Sequence, residues 1–238
     1  MPHMPVTFEK KIIGEAPVLL AAPADARDPL PAVLWFHGFQ VDKEVHRPEL
    51  ERIAEAGFLA VGVDAAGHGE RRLPDFEARL EAPPEEVLQM VIGLASRTAD
   101  EVPGIVRALA DDGVADPGRV AVAGVSMGGY VVYRVLVVEP RIRAAAAILG
   151  SPEWPHPDSP YPQLRSLSGT ALLSITAEKD ENVPPAAARR LHHELSGDPA
   201  WAGRQRYVEL PGAQHLVSAE EWNTLMEETI AWLRAHTL

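Results

Sequence analysis

The sequence predicts an α/β fold: a mostly parallel, twisted sheet of about eight strands, helices on both faces, and an antiparallel hairpin at the N-terminal edge. Three observations carry this expectation. Short apolar runs alternate along the chain with longer stretches of helical spacing. Several runs, such as Ala32-Val33-Leu34-Trp35-Phe36, are apolar at successive positions, which is the pattern of a strand covered on both faces. The length, 238 residues without an internal repeat, suits one domain of this class spanning 1–238.

The elements follow in order. Val6 to Ile13 and Ala16 to Leu20, separated by Gly14-Glu15, read as a hairpin. Residues 21–31, rich in Ala, Pro and Asp, read as a surface connection. The strand from Ala32 to Phe36 ends in His37-Gly38-Phe39-Gln40. Glu44 to Ala56 places Leu50, Ile53 and Ala54 on one helical face, and Gly57 stops it. Phe58 to Val63 is a second buried strand, closing on Asp64-Ala-Ala-Gly-His68-Gly69. Arg71 to Pro84 is polar and aperiodic. Glu85 to Asp112 reads as helix, with a kink or break expected at Pro103-Gly104 and Thr98-x-x-Glu101 available to cap the second part. Gly113 to Gly118 is a turn into the strand Arg119 to Val125, and an apolar helical segment then runs to Pro140. Ile142 to Leu149 is the next strand. Glu153 to Gly169, which holds Trp154, His156, Tyr161 and four prolines, is too short for a further domain. Thr170 to Thr176, Pro184 to Ser196, Gln205 to Leu210 and Ala219 to Ala235 complete the chain as strand, helix, strand and amphipathic helix.

Composition narrows the function. A hydrophobic share of 46% with 24% charged residues describes a globular protein with a sizeable core. A formal charge of −12 without any basic cluster argues against nucleic acid and against anionic membranes as partners. The absence of cysteine excludes disulfides, thiolate zinc sites and a cysteine nucleophile. No apolar run approaches the ~20 residues of a membrane helix, and Met1-Pro-His-Met-Pro lacks the basic and apolar regions of a signal peptide, so a cytoplasmic location is expected. The expected partner is a small molecule, with no metal and no cofactor.

Chemistry gathers around one turn. Gly124-Val125-Ser126-Met127-Gly128 sits between a strand and a helix, and it has the G-x-S-x-G form that lifts a serine out on a tight turn. The glycines leave room for such a turn, and the helix N-terminus turns free N–H groups toward any negative charge formed there. In an open α/β sheet ligands bind beyond the carboxyl ends of the strands, so partners for Ser126 are sought there. Asp180 follows the strand ending near Thr176, with Val183-Pro184 opening the next helix; Glu178 and Glu181 are rivals, and Asp158 is a further one. Nine histidines compete for the base. His192 and His193 lie within a helix, His46 at a helix start, and His3 and His236 at the ends. His215 lies just past the last strand, in the place that the order Ser–Asp–His requires. The backbone N–H groups of Met127 and Phe39 are candidate oxyanion donors. His37 reads as a shaper of the loop carrying Phe39, with a position near the substrate; Trp154, His156 and Tyr161 are candidate pocket residues. Asp64 and His68 read as loop-shaping residues, since no third ligand stands at metal spacing.

These pieces, His37-Gly38-Phe39, Asp64-x-x-x-His68-Gly69, Gly124-x-Ser126-Met-Gly128-Gly129, Asp180-x-x-Val183-Pro184 and His215, resemble the α/β-hydrolase superfamily in its dienelactone-hydrolase-like and prolyl-oligopeptidase-like branch of bacterial serine esterases. The resemblance covers residue 30 to the C-terminus. It implies the α/β-hydrolase fold with a minimal lid and a carboxylesterase with short-chain preference. The cysteine nucleophile of dienelactone hydrolases proper is replaced here by Ser126, and the stretch before residue 30 is too short for the propeller of prolyl oligopeptidases. Acyl-peptide, amide or lactone hydrolysis is the alternative reading, and a ligand-binding or scaffold homologue is the non-enzymatic one.

Overall fold

Alternation along the strands builds two apolar layers. In the computed structural model, which describes residues 5–27, 29–167 and 169–238, β1 (Val6–Ile13) and β2 (Ala16–Pro23) form the expected hairpin. His3 lies outside the described residues. Along β3 (Leu30–Phe36), Leu34 and Phe36 join one cluster, and Val33 and Trp35 join the other. Helix α1 (Arg47–Glu55) packs on the Trp35 side, and β4 (Leu59–Val63) repeats the alternation. A short helix, α2 (Phe76–Leu80), precedes the long α3 (Pro84–Asp111), which covers the Phe36 side together with α4 (Met127–Val138). The strands β5 (Ala115–Val125), β6 (Ile142–Ile148) and β7 (Ala171–Ala177) are likewise covered on both faces. After α5 (Tyr161–Leu164) and α6 (Ala186–Ser196), β8 (Gln205–Leu210) forms the far edge, and α7 (Ala219–Thr237) packs on the Trp35 side.

The sheet order is β1-β2-β4-β3-β5-β6-β7-β8, with β1, β2 and β4 joined antiparallel and every later pair parallel. The chain winds outward from β3 to β4, crosses back over β3 through α3, and winds the other way from β5. The loops after β3 and β5 therefore diverge at adjacent strand ends, which opens a crevice. Register sets their proximity: Phe36 pairs with Gly124, so His37 to Phe39 leave the sheet beside Ser126.

Three sequence expectations change. The helix over 84–111 runs through Pro103 without a break. Pro103 removes one hydrogen bond, but Ala99, Val102, Ile105 and Val106 keep a continuous buried stripe across it, and packing prevails. Thr98 is not a cap: its Oγ1 donates to Leu94 O at 2.7 Å and accepts from Ala66 N at 2.9 Å. The 21–31 connection is shorter than expected, because β2 runs to Pro23 and β3 begins at Leu30, where it pairs with Ala115.

Candidate active site

Ser126 occupies the apex between β5 and α4 with φ +56° and ψ −116°, a conformation strained for any side chain. Neighbouring backbone holds it there. Ser126 N donates to Ile148 O at 2.8 Å, and Ser126 O accepts from Gly129 N at 2.8 Å and Tyr130 N at 3.2 Å. The tightness explains the two glycines. A Cβ on Gly124 would lie 2.6 Å from Gly128 O, and one on Gly128 would lie 2.1 Å from Phe36 O.

Two other strand ends supply its neighbours. His215 Nε2 lies 2.9 Å from Ser126 Oγ, and His215 Nδ1 donates to Asp180 Oδ2 at 2.7 Å. The Asp180 carboxylate is buried, and its second oxygen accepts from Asn182 N at 3.0 Å and Val183 N at 2.8 Å. With Nδ1 donating, Nε2 faces the serine as an acceptor. Glu178 instead accepts from Gly212 N at 2.6 Å, and Asp180 is the carboxylate that His215 meets among the described residues.

The loop after β3 closes the other side. A Cβ on Gly38 would sit 3.7 Å from Ser126 Cβ, so this backbone faces the serine directly. Phe39 N–H and Met127 N–H have no hydrogen-bond acceptor among the described residues. His37 is fully buried; its Nδ1 donates to Gly38 O at 2.7 Å and its Nε2 accepts from Ala65 N at 2.9 Å. Both nitrogens are committed, and burial pushes its pKa down to about 4, so the ring is a neutral tie between the two loops. Asp64 makes a second tie. It accepts from Lys43 N at 3.0 Å, from the buried Lys43 Nζ at 2.8 Å and from Glu70 N at 2.9 Å. His68 then packs between His37, Phe39 and Phe76 with ring centroids 5.3, 5.4 and 5.0 Å away, and Phe76 lies 5.4 Å from Phe39. The polar 71–84 stretch thus delivers one aromatic ring that clamps Phe39.

The model of the dienelactone hydrolase family matches residues 16–223. The chain belongs to that family. It is 25% identical to esterase YjfP of Escherichia coli K12, over 97% of this chain and 99% of the other. Among solved structures it is similar to TT1662 of Thermus thermophilus, with 25% identity, a TM-score of 0.71 and 98% of each chain covered. A prolyl endopeptidase matches with 18% identity and a TM-score of 0.71, over 98% of this chain and 38% of the endopeptidase. The fold is the α/β-hydrolase fold of this family, and the protein is a hydrolytic enzyme. No helix of the described residues is long and apolar enough to cross a membrane.

Within this dienelactone hydrolase family member, the four candidate pocket residues divide. His37 is sealed beneath the loop after β3, where both of its ring nitrogens are bonded. Trp154 is buried, donates Nε1–H to Ser151 O at 2.8 Å and packs on Tyr130. His156 accepts from Asp158 N at 3.1 Å within its own loop. Tyr161 turns to α6, where its hydroxyl bonds Glu194 and Arg190 at 3.2 Å each. Ion pairs from Glu153 to Arg190 and from Arg165 to Glu194 hold this segment against α6. Sequence reading missed Lys43, Phe76 and Tyr130. Only Tyr130 carried a local signal, since it stands one helical turn beyond Ser126.

Proposed function

We propose that this hydrolase is a serine esterase that cleaves carboxylic esters of small acyl groups through an acyl-enzyme. The observation that carries this reading is the hydrogen-bonded chain Ser126–His215–Asp180, at 2.9 and 2.7 Å, on a serine held at an apex by backbone. The esterase named among the relatives agrees with it. His215 Nε2 takes the Ser126 proton as Oγ attacks the ester carbonyl, and the proton passes to the departing alkoxide. Asp180 fixes the tautomer and stabilises the imidazolium between those events. Phe39 N–H and Met127 N–H receive the oxyanion. Water, deprotonated by His215, then attacks the acyl-enzyme and frees Ser126. The 150–170 segment, held against α6, is too short for a helical lid, which favours small acyl groups. A fluorophosphonate should label Ser126 and nothing in the Ser126→Ala variant. Profiling on esters, lactones and acyl-peptides should show the highest kcat/KM on short-chain esters. An unlabelled Ser126 removes the serine mechanism, and a peak on lactones or acyl-peptides moves the substrate class.

The clamp on Phe39 makes a second prediction. Losing one oxyanion donor outright costs ~10²–10³ in kcat; loosening its loop should cost a part of that. Phe76→Ala is expected to lower kcat about tenfold, with KM changed less than about twofold, and Phe76→Leu should recover most of the loss. A raised KM with kcat unchanged, measured by initial rates on a short-chain ester, would assign Phe76 to binding.

A further inference from the structure

Tyr130 begins the second turn of α4, its N–H bonded to Ser126 O at 3.2 Å. Its ring packs on Trp154, with centroids 5.8 Å apart, and Trp154 is itself pinned through Nε1 to Ser151 O. Tyr130 thus stands at the serine turn, and the Asp180 charge acts on its hydroxyl, so it lies near the loop of Asp180 as well. The tyrosine keeps 8% of its surface open, and its Oη is neither bonded to a protein group among the described residues nor sealed from water. The contrast with the other tyrosines is direct. Tyr133 Oη meets Ser174 at 2.6 Å, Tyr207 Oη meets Thr176 at 2.8 Å, and Tyr161 bonds Glu194. A hydroxyl held by a buried ring, without a partner, beside the proposed nucleophile is a donor reserved for something that enters the crevice.

We propose that Tyr130 Oη binds the substrate, donating to an uncharged oxygen (hydroxyl, ether or ketone) on the ester arm that lies over β6 and β7. This inference rests on the serine-esterase reading and narrows it to oxygenated short-chain esters. Two features set the class. Burial and the Asp180 charge push the Tyr130 pKa up to about 12, so the group is a neutral donor at any working pH. The same carboxylate, in a chain of formal charge −12, disfavours an anionic arm. A site built to bond an oxygen also discriminates against the analogue that lacks it, because the donor is then left unpaired.

Matched esters test this. Ethyl 3-hydroxybutyrate against ethyl butyrate probes the acyl arm, and 2-methoxyethyl acetate against n-butyl acetate probes the alcohol arm. The wild-type enzyme should prefer the oxygenated member of one pair by about tenfold in kcat/KM, the scale of one neutral hydrogen bond. Tyr130→Phe, which keeps the ring on Trp154, should bring that ratio to about one while Ser126 still takes the fluorophosphonate. A wild-type ratio near one in both pairs, or a ratio unchanged in Tyr130→Phe, overturns the inference alone. Failure of the wild-type enzyme to label at Ser126 removes the esterase mechanism beneath it, so the two failures are distinguishable.

Discussion

Asp180→Asn should lower kcat by about 10⁴-fold, the scale seen when the acid of a Ser-His-Asp triad is replaced by its amide. The structure gives the reason at the level of single protons. Asp180 Oδ1 accepts from two backbone donors, Asn182 N and Val183 N, whereas Oδ2 accepts from His215 Nδ1. An asparagine must turn its carbonyl oxygen to the two N–H groups, since its amino group there would face two donors. That leaves the amino group against His215 Nδ1, which then serves as acceptor. The imidazole proton moves to Nε2, and Ser126 faces a donor where it needs a base. The loss should therefore fall on kcat, with a small shift in Tm, because the shape of the side chain is preserved. Initial rates on a short-chain ester, with Tm as the folding control, decide the matter. A rate within about tenfold of wild type would exclude Asp180 as the acid.

The parts of this site legible in the sequence are those that lie next to strand ends. Ser126 and Asp180 each follow a run whose apolar continuity marks a buried strand, His215 follows the half-polar edge run Gln205–Leu210, and their order along the chain suffices to put them on one edge. Their neighbours come from long-range packing, which leaves no local mark. Lys43 carries no signal in the sequence, yet it is buried against Asp64 because the loops after β3 and β4 share one sheet edge. Phe76 sits in a polar stretch, and its meeting with Phe39 depends on how that stretch folds back. The helix through Pro103 shows the same principle, for a local breaking signal is overruled by the stripe of residues it would have separated. In the sequence, His192 reads as a residue within a helix. It proves to lie in a buried network, where its Nε2 accepts from Ser174 Oγ at 2.8 Å and its Nδ1 donates to Gln205 Oε1 at 2.6 Å. Tyr133 donates to the same Ser174 at 2.6 Å, so the chain of donors runs one way, and a proton added at Nε2 would reverse it.

That network leads to the other large effect: stability should fall by about 6 kcal/mol as pH drops from 7 to 4. His37 and His192 are both buried, and burial pushes each pKa down to about 4 from an ordinary 6.5. The unfolded chain takes up these protons near pH 6.5, whereas the folded chain resists until about pH 4. Between those values the unfolded state binds more protons, so stability rises with pH across the window and is lost on acidification through it. Each histidine contributes about 3 kcal/mol over this range. The geometry agrees, since a proton on His37 Nε2 would oppose Ala65 N–H, and one on His192 Nε2 would oppose the Ser174 hydroxyl. Carboxylates act lower. Glu139, whose burial is outweighed by its bonds from Arg141, holds a pKa below the ordinary 4.5, so its contribution is lost mainly beneath this window. Against a typical total of ~5–15 kcal/mol, the histidine effect alone brings the protein close to acid unfolding at pH 4. Urea unfolding at half-unit steps from pH 7.5 to 4 should show the fall, and His192→Gln, which cannot take the proton, should halve it. A flat profile between pH 7 and 5 would mean that the two rings are protonated in the folded state without penalty. Their hydrogen-bond partners would then have to differ from those described above.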